Sequence, residues 1–334
     1  MKPHVLVTGA TGFVGAALVA ELLRREYTVH ALARPSSDRS AVDGSRVHWR
    51  DGDLVDAPSV ERAVARVCER SPVRPLVIHA GAVISYQTRD RALQERVNVG
   101  GTRNVLEACR RHGVGRVLHV SSVVTVGHAR ADELLDEDAP YNGAELACAY
   151  TDTKRAAEEL ALGAAGELDL VVVNPGAIFG GGARGPNTLK FLRQIAHGPR
   201  LPYVPPGSLS VVGVEDVVAG CLLALERGAR GRRYLLTESV WRSIDSFRVA
   251  AEVLGVPPPR WPAPRALWRA VGLGSALVDI VAPPKLLTPT AVRMLGAHFR
   301  FDARRARAEL GWSPRPFVQV LRETVEWMRA RRLI

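Results

Sequence analysis

Lysine is nearly missing from this chain. Only four of its 334 residues are Lys, so its 45 basic residues are almost all Arg. Cysteine is as sparse. Cys68, Cys109, Cys148 and Cys221 form no Cys-x-x-Cys pair. That spacing excludes a disulfide framework and a zinc site, so no metal is expected and a reducing cytoplasm is the simplest compartment. No apolar run reaches the roughly 20 residues of a membrane span. The nearest, 266–282, is interrupted by Arg269 and Asp279. The Met-Lys-Pro-His start runs straight into a strand-like segment, so no secretory signal is expected.

What remains is ordinary for a globular chain, with 47% hydrophobic and 24% charged residues. The formal charge of +11 is local. Residues 260–334 hold 14 Lys+Arg against 5 Asp+Glu, a balance of +9. No zinc finger, recognition helix or RNA-binding signature accompanies it, so it reads as a solvated basic face and no nucleic acid is expected.

Apolar runs alternate with helical patterns from the start. Strands are predicted at 4–8, 28–33, 46–50, 76–79, 117–121 and 168–174. Helices are predicted from 13 to about 26, over 59–69, in a long stretch ending near His112, and over 144–163. This alternation predicts an α/β fold, a doubly wound parallel sheet with helices on both faces. Continuous apolar strands fit burial on both sides. After Asn174 a loop rich in Gly and Pro begins (Pro175, Gly176, Gly180, Gly181, Gly182, Gly185, Pro186). Segments 211–218 and 233–237 are expected to return to the sheet. The expected division is a dinucleotide-binding domain over 1–175 with return segments about 209–240, and a smaller, mainly helical substrate domain from 176–208 and 241–334.

Gly9, Gly12 and Gly15 lie directly between the first strand and the first helix, in Gly9-Ala10-Thr11-Gly12-Phe13-Val14-Gly15. Gly9 can turn tightly, Gly12 lets a pyrophosphate approach the backbone, and Gly15 lets helix and strand pack closely. The helix N-terminus supplies free N–H groups. At the end of the second strand, where an NAD site would carry Asp or Glu, this chain has Arg34. A guanidinium suits a 2′-phosphate, so NADP(H) is favoured, with NAD(H) as the alternative. Ser36, Ser37 and Arg39 stand near enough in sequence to assist.

Tyr150 and Lys154, four apart on a predicted helix, share one face. A free phenol ionises near 10, and lowering it by three units takes about 4 kcal/mol. A cation about 4 Å away at an effective dielectric near 20 supplies that much. Lys154 is expected to be that cation, leaving Tyr150 to exchange a proton with a carbonyl oxygen. Ser122, closing the fifth strand, is placed to hold the same oxygen. Asn98 sits inside a helix where Asn is unfavourable, which points to a specific role.

These residues together resemble the extended short-chain dehydrogenase/reductases, the NAD-dependent epimerase/dehydratase family. The resemblance runs nearly end to end. It includes the Thr8–Gly15 loop, Gly52-Asp53-Leu54, His79-Ala80-Gly81, Asn98 with Gly101-Thr102, Ser121-Ser122, Tyr150 with Lys154, Asn174-Pro175-Gly176, Val214-Glu215-Asp216-Val217, and Glu309-Leu310-Gly311-Trp312-Ser313-Pro314. The resemblance implies that Asp53 and Leu54 flank the adenine, and that His79, Ala80 and Gly81 line the cofactor. It implies that Pro175, Gly176 and Ile178 border the nicotinamide and that Asn98 supports a proton relay. Ser122, Tyr150 and Lys154 are then the catalytic three, and a homodimer is expected.

Within the family, sugar dehydratases carry Asp-Glu after the catalytic hydroxyl residue. This chain has Val123-Val124 there, which argues against elimination. The overall pattern looks most like the dihydroflavonol 4-reductase and 3β-hydroxysteroid dehydrogenase branch and its hopanoid-associated bacterial relatives. Gly127 stands where plant flavonoid reductases carry Asn, which argues against a flavonoid substrate. The expected activity is an NADP-dependent interconversion of a ketone and a secondary alcohol on an apolar small molecule. Ile84, Tyr86, Val123, Ile178, Phe179, Leu189, Phe191 and Tyr203 are candidate pocket residues. A nucleotide-sugar epimerase with bound NAD and a non-catalytic dinucleotide sensor are the alternatives. The apolar segment 264–296, flanked by Arg265, Arg269, Lys285 and Arg293, reads as a helical part of the small domain. Its sharper reading is a lid with transient membrane-surface contact.

Overall fold

The apolar runs of the N-terminal half become strands β1 (Val5–Thr8), β2 (Val29–Ala33), β3 (Val47–Asp51), β4 (Leu76–His79), β5 (Arg116–Val120) and β6 (Leu170–Pro175). The computed structural model describes residues 2–42, 44–130, 132–182, 187–197, 202–281 and 288–334. Helices α1 (Phe13–Arg24), α2 (Ala57–Arg70), α3 (Arg91–Gln94), α4 (Gly101–Arg111) and α5 (Ala149–Gly163) alternate with these strands. Further on come β7 (Ala177–Phe179), α6 (Asn187–His197), β8 (Tyr203–Val204), β9 (Ser208–Gly213), α7 (Val214–Arg227), β10 (Arg233–Leu236), β11 (Ser239–Arg242), α8 (Ser243–Leu254) and β12 (Trp261–Pro262). The chain closes with α9 (Arg265–Val281), α10 (Pro289–Gly296), α11 (Arg304–Leu310) and α12 (Phe317–Ala330).

Seven strands form the central sheet, in the order β10-β6-β5-β4-β1-β2-β3, and every pairing is parallel. Alternate side chains feed two separate cores. Val5, Val7, Leu18, Leu22, Ile78 and Leu118 pack on one face, and Leu6, Val60, Val64, Val77, Val105 and Val117 on the other. This is the doubly wound α/β architecture, and burial on both faces is why the inner strands read as largely apolar runs, whereas the edge strand β3 carries Arg50 and Asp51. It places the loops after β1, β4 and β5 on one edge, the usual place for a ligand in such sheets.

The segment 211–218 departs from the expected return strand. Its first part belongs to β9, which pairs with β7 and β11 in a separate three-stranded sheet. From Val214 the chain is already helix, with Glu215 and Asp216 in its first turn where the dipole favours acids. A short valine-rich run carries no period that separates the two states. The second return segment does join the central sheet, where β10 pairs with β6.

The helix expected over 144–163 is also divided. A 3₁₀ turn covers Gly143–Leu146, Ala147 takes a left-handed φ of 45°, and α5 then begins at Ala149. Tyr150 therefore stands in the first turn of α5. The long helix ending near His112 is broken by a π-helical turn, Glu95–Gly100, which contains Asn98. Gly185 and Pro186 of the expected loop, and 282–287 of the segment 264–296, lie outside the described residues.

Candidate active site

The turn after β1 carries its glycines for visible reasons. Gly9 has φ +68, and a Cβ added there would come within 2.6 Å of the Gly81 Cα. Two backbones thus meet with no room for a side chain, and only glycine takes that φ freely. The Gly12 N–H donates to the Gly9 carbonyl at 2.8 Å, and Gly12 caps α1 without a side-chain acceptor. The first turn of α1 holds no acidic residue, so its N–H groups and the positive end of the dipole face outward uncompensated. Phe13 packs beneath Gly182, and Val14 joins the core, leaving Thr11 half-buried at the rim.

Arg34 leaves the end of β2 exposed, and its side chain has no hydrogen bond or ion pair among the described residues. Arg39, expected to assist it, is instead tied to Asp51 and stacked 4.8 Å over Trp49. Asp53 accepts from the Val55 N–H at 3.2 Å, which closes the turn after β3. Leu54 is held by its carbonyl, which accepts from Asn104 at 2.7 Å, and packs against Gly81 and Gly101.

Ser122, Tyr150 and Lys154 come together where β5 ends and α5 begins. The Ser122 hydroxyl lies near enough to the Tyr150 phenol to favour its ionisation. Tyr150 is 7% exposed and Lys154 4%, and the Lys154 ammonium donates to the Val120 carbonyl at 3.0 Å. Burial pushes the Tyr150 phenol up to about 12, with the Ser122 hydroxyl pulling the other way. Burial also brings the Lys154 ammonium down to about 8, opposed by the Glu158 carboxylate one turn on. The expected acidification of Tyr150 by Lys154 is therefore absent from the protein alone, because desolvation dominates and pushes the phenol up. The phenol keeps its proton at neutral pH.

A buried polar network fixes the backbone around this trio. The Thr125 hydroxyl donates to Glu158 at 2.7 Å and Asn174 donates to Thr125 at 2.9 Å and to the Ser122 carbonyl at 3.2 Å. Asn98 bridges three elements. It accepts from the Val83 N–H at 2.8 Å and donates to the Val83 carbonyl and the Thr153 hydroxyl, both at 3.1 Å. Those bonds point sideways from the helix, and the π turn accommodates them. His79 lies between the hydroxyls of Thr8 at 2.7 Å and Thr102 at 3.0 Å. Burial and, secondarily, Lys154 bring it down to about 3, so it is neutral. Ala80 donates to the Thr8 carbonyl at 3.3 Å. Gly176 bonds the Leu236 carbonyl at 3.1 Å, beside buried Pro175, and the Ile178 carbonyl accepts from Thr188 at 2.8 Å.

The apolar wall around Tyr150 differs from the expected one. Of the eight candidates only Tyr86 stands against Tyr150, edge to face with centroids 6.1 Å apart. Phe179, Leu189 and Phe191 fill a core with Phe317 and Leu321 under the small sheet. Val123 is buried in the main core, Ile178 packs against it, Ile84 is exposed, and Tyr203 lies against Trp261. The residues packed with Tyr150 are Val124, Leu146, Cys148 and Met294. Val124 was findable from its place two residues after Ser122. Met294, 144 positions from Tyr150 along the chain, gave no local signal.

The set fits a dinucleotide. The uncapped α1 start beside a side-chain-free turn would take a pyrophosphate, and the unpaired Arg34 suits a phosphate beyond it. The profile described as the NAD dependent epimerase/dehydratase family matches residues 5–236. Sterol demethylase protein B of Methylococcus capsulatus is 35% identical over 335 residues, covering 98% of this chain and 99% of that protein. The 3 beta-hydroxysteroid dehydrogenase/Delta 5-->4-isomerase of Mycobacterium tuberculosis is 30% identical over 328 residues, covering 93% of this chain and 86% of that one. A crystal structure titled gox2253 superposes with a TM-score of 0.84 at 29% identity, covering 99% of each chain.

Proposed function

The chain belongs to the NAD dependent epimerase/dehydratase family, and we propose that within it the protein is an NADP-dependent oxidoreductase. It interconverts a ketone and a secondary alcohol on an apolar small molecule. The general type, an NAD(P)-dependent oxidoreductase of the extended short-chain class, follows from the family and its named relatives. The observation that carries the finer reading is the buried Tyr150, beside Ser122 and walled by Val124, Leu146 and Met294.

When bound, the nicotinamide supplies or takes the hydride. The chain's own residues do the rest. Gly9, Thr11, Gly12, Phe13, Val14 and Gly15 hold the pyrophosphate, and Arg34 the 2′-phosphate. Asp53 and Leu54 flank the adenine. His79, Ala80 and Gly81 line the middle, and Pro175, Gly176 and Ile178 border the nicotinamide. In reduction Tyr150, protonated at neutral pH, gives its proton to the carbonyl oxygen while Ser122 hydrogen-bonds that oxygen. In oxidation Tyr150 must first be a phenolate, which burial disfavours, so oxidation is favoured by alkaline conditions. Lys154 supports the phenolate electrostatically, and Asn98 holds α5 in place through Thr153.

Val123-Val124 leaves no carboxylate for elimination at the position where dehydratases use one. The relatives' names, a sterol demethylase protein and a hydroxysteroid dehydrogenase, support an apolar substrate class. Four free cysteines support a reducing cytoplasm, and a homodimer completes the proposal.

Tyr150→Phe tests it. NADPH-dependent reduction of apolar ketones should fall by about a hundredfold or more, while NADPH binding is kept. Retained turnover would refute the catalytic assignment. Denaturing the purified protein and weighing the released nucleotide is the companion test. Near-stoichiometric NAD would point to an epimerase that retains its cofactor through a redox cycle.

A further inference from the structure

Over residues 265–276 helix α9 is apolar on both sides, yet among the described residues only one side is covered. Its inner side turns Trp268 and the buried Ser275 inward, and the Trp268 indole donates to the Val292 carbonyl of α10 at 3.1 Å. Its outer side carries Leu267, Ala270, Leu273 and Gly274, all exposed. Leu267 is 41% exposed and Leu273 70%. A surface helix ordinarily turns charged residues outward, and one that is apolar all round is ordinarily buried. The outer face of α9 is neither.

Its edges carry a single sign of charge. Arg260, Arg265 and Arg269 are exposed, and no Asp or Glu occurs from 253 to 278. At the start of α9, Trp261 and Tyr203 lie exposed with ring centroids 6.1 Å apart. Leucines on one face, arginines at its margins and exposed aromatics are the chemistry of a helix lying in a lipid headgroup layer. A second copy of this chain would bring the same positive charge to the same face, so charge complementarity favours an anionic surface over self-association.

The position of α9 relative to the catalytic tyrosine gives the face a use. It rests on α10, and α10 packs Met294 into the cluster around Tyr150, while Arg293 donates to the Leu146 carbonyl at 2.9 Å. One helix layer thus separates the exposed face from the apolar wall of the site. We propose that the outer face of α9 seats the protein on an anionic lipid bilayer, so that an apolar substrate passes between membrane and site with little exposure to water. The use assigned to the seat rests on the apolar-substrate reading above. The seat itself rests on α9 and on the exposed Arg260, Trp261 and Tyr203 at its start.

Sedimentation with vesicles tests it. The protein with NADPH should pellet with equimolar phosphatidylcholine/phosphatidylglycerol vesicles, stay in solution with phosphatidylcholine alone, and be released by high salt. Leu267→Glu/Leu273→Glu should cut vesicle partition by about tenfold or more, with NADPH binding and the thermal transition unchanged. Wild-type protein that remains in the supernatant with the mixed vesicles overturns the proposal, as does a double variant that pellets like wild type. Size-exclusion chromatography covers the other occupant. A wild-type assembly that the double variant dissolves overturns it in favour of an interface between copies. Reduction of a water-soluble ketone, read in the same samples, separates the two claims. Loss of vesicle binding in the double variant with turnover intact supports the seat, whereas bound wild type that reduces no ketone counts against the enzymatic reading alone.

Discussion

The carboxylate of Glu158 accepts from the Arg233 guanidinium at 2.9 Å, with side-chain exposures of 0% and 14%. The pair joins α5 to β10, and Glu158 is also the partner that holds the Lys154 ionisation up. Glu158→Gln should lower the Lys154 value from about 8, so activity that needs the charged lysine fails at a lower pH. The pH profile of kcat/KM for reduction checks this, and an unmoved alkaline limb rejects it. Arg233→Met strands a buried carboxylate and should cost about 3–5 kcal/mol in denaturant unfolding.

The Arg34 side chain has no hydrogen bond or ion pair among the described residues, so replacing it should leave the fold alone. Arg34→Asp should change stability by less than about 0.5 kcal/mol. It should reverse the ratio of NADPH to NADH affinity by roughly ten- to a hundredfold, the worth of one charge-assisted hydrogen bond. Binding titrations with both cofactors decide, and an unchanged ratio removes Arg34 from the 2′-phosphate site.

His30 and His79 are each brought down to about 3, first by burial and then by Arg50 and Lys154 respectively. An unfolded histidine ionises near 6.5. Between about 3 and 6.5 the unfolded chain therefore binds protons that the folded chain refuses. Stability should be flat above that window and fall as pH drops through it, by about 1.4 kcal/mol per pH unit per group. His30→Leu, far from the site, should remove one group's share of the slope. Urea unfolding at stepped pH values reads it, and an identical slope in the variant would show that His30 is already protonated when folded.

Gly127 has φ +129, and a Cβ there would lie 2.2 Å from the Asn142 Oδ1. That oxygen accepts from the His128 N–H, and the same amide donates to the His128 carbonyl, both at 2.9 Å. Gly127→Asn, which restores the residue of plant flavonoid reductases, should cost about 2 kcal/mol or more and confer no flavonoid turnover. A variant as stable as wild type by thermal unfolding would show that the loop can rearrange.

Much of this protein follows from short stretches of its sequence. Strands β1 to β6 and the helices between them each announce themselves within a dozen residues, because the inner strands are buried on both faces and so largely apolar, while β3 (Val47–Asp51) at the sheet edge is partly exposed and more polar. The glycines after β1 and the spacing of Tyr150 and Lys154 are equally local. They were legible because a turn or one helix face needs only neighbouring residues to define it. The residues set by distant partners were not legible. The strand at β9 depends on β7 and β11, so the same valines could be read as part of the central sheet. The π turn at Asn98 depends on Val83 and Thr153.

The chemistry divides in the same way. The proposal that Tyr150, Lys154 and Ser122 act together rests on their types and order in the sequence. That burial, more than Lys154, governs the phenol was decided by α10, which brings Met294 against Tyr150 from the far end of the chain. So too with α9: its composition was plain in the sequence, but only packing on α10 determined which of its two apolar sides was left outside. Local pattern specifies what each element can be. Desolvation and the choice of buried face are properties of the assembled tertiary structure.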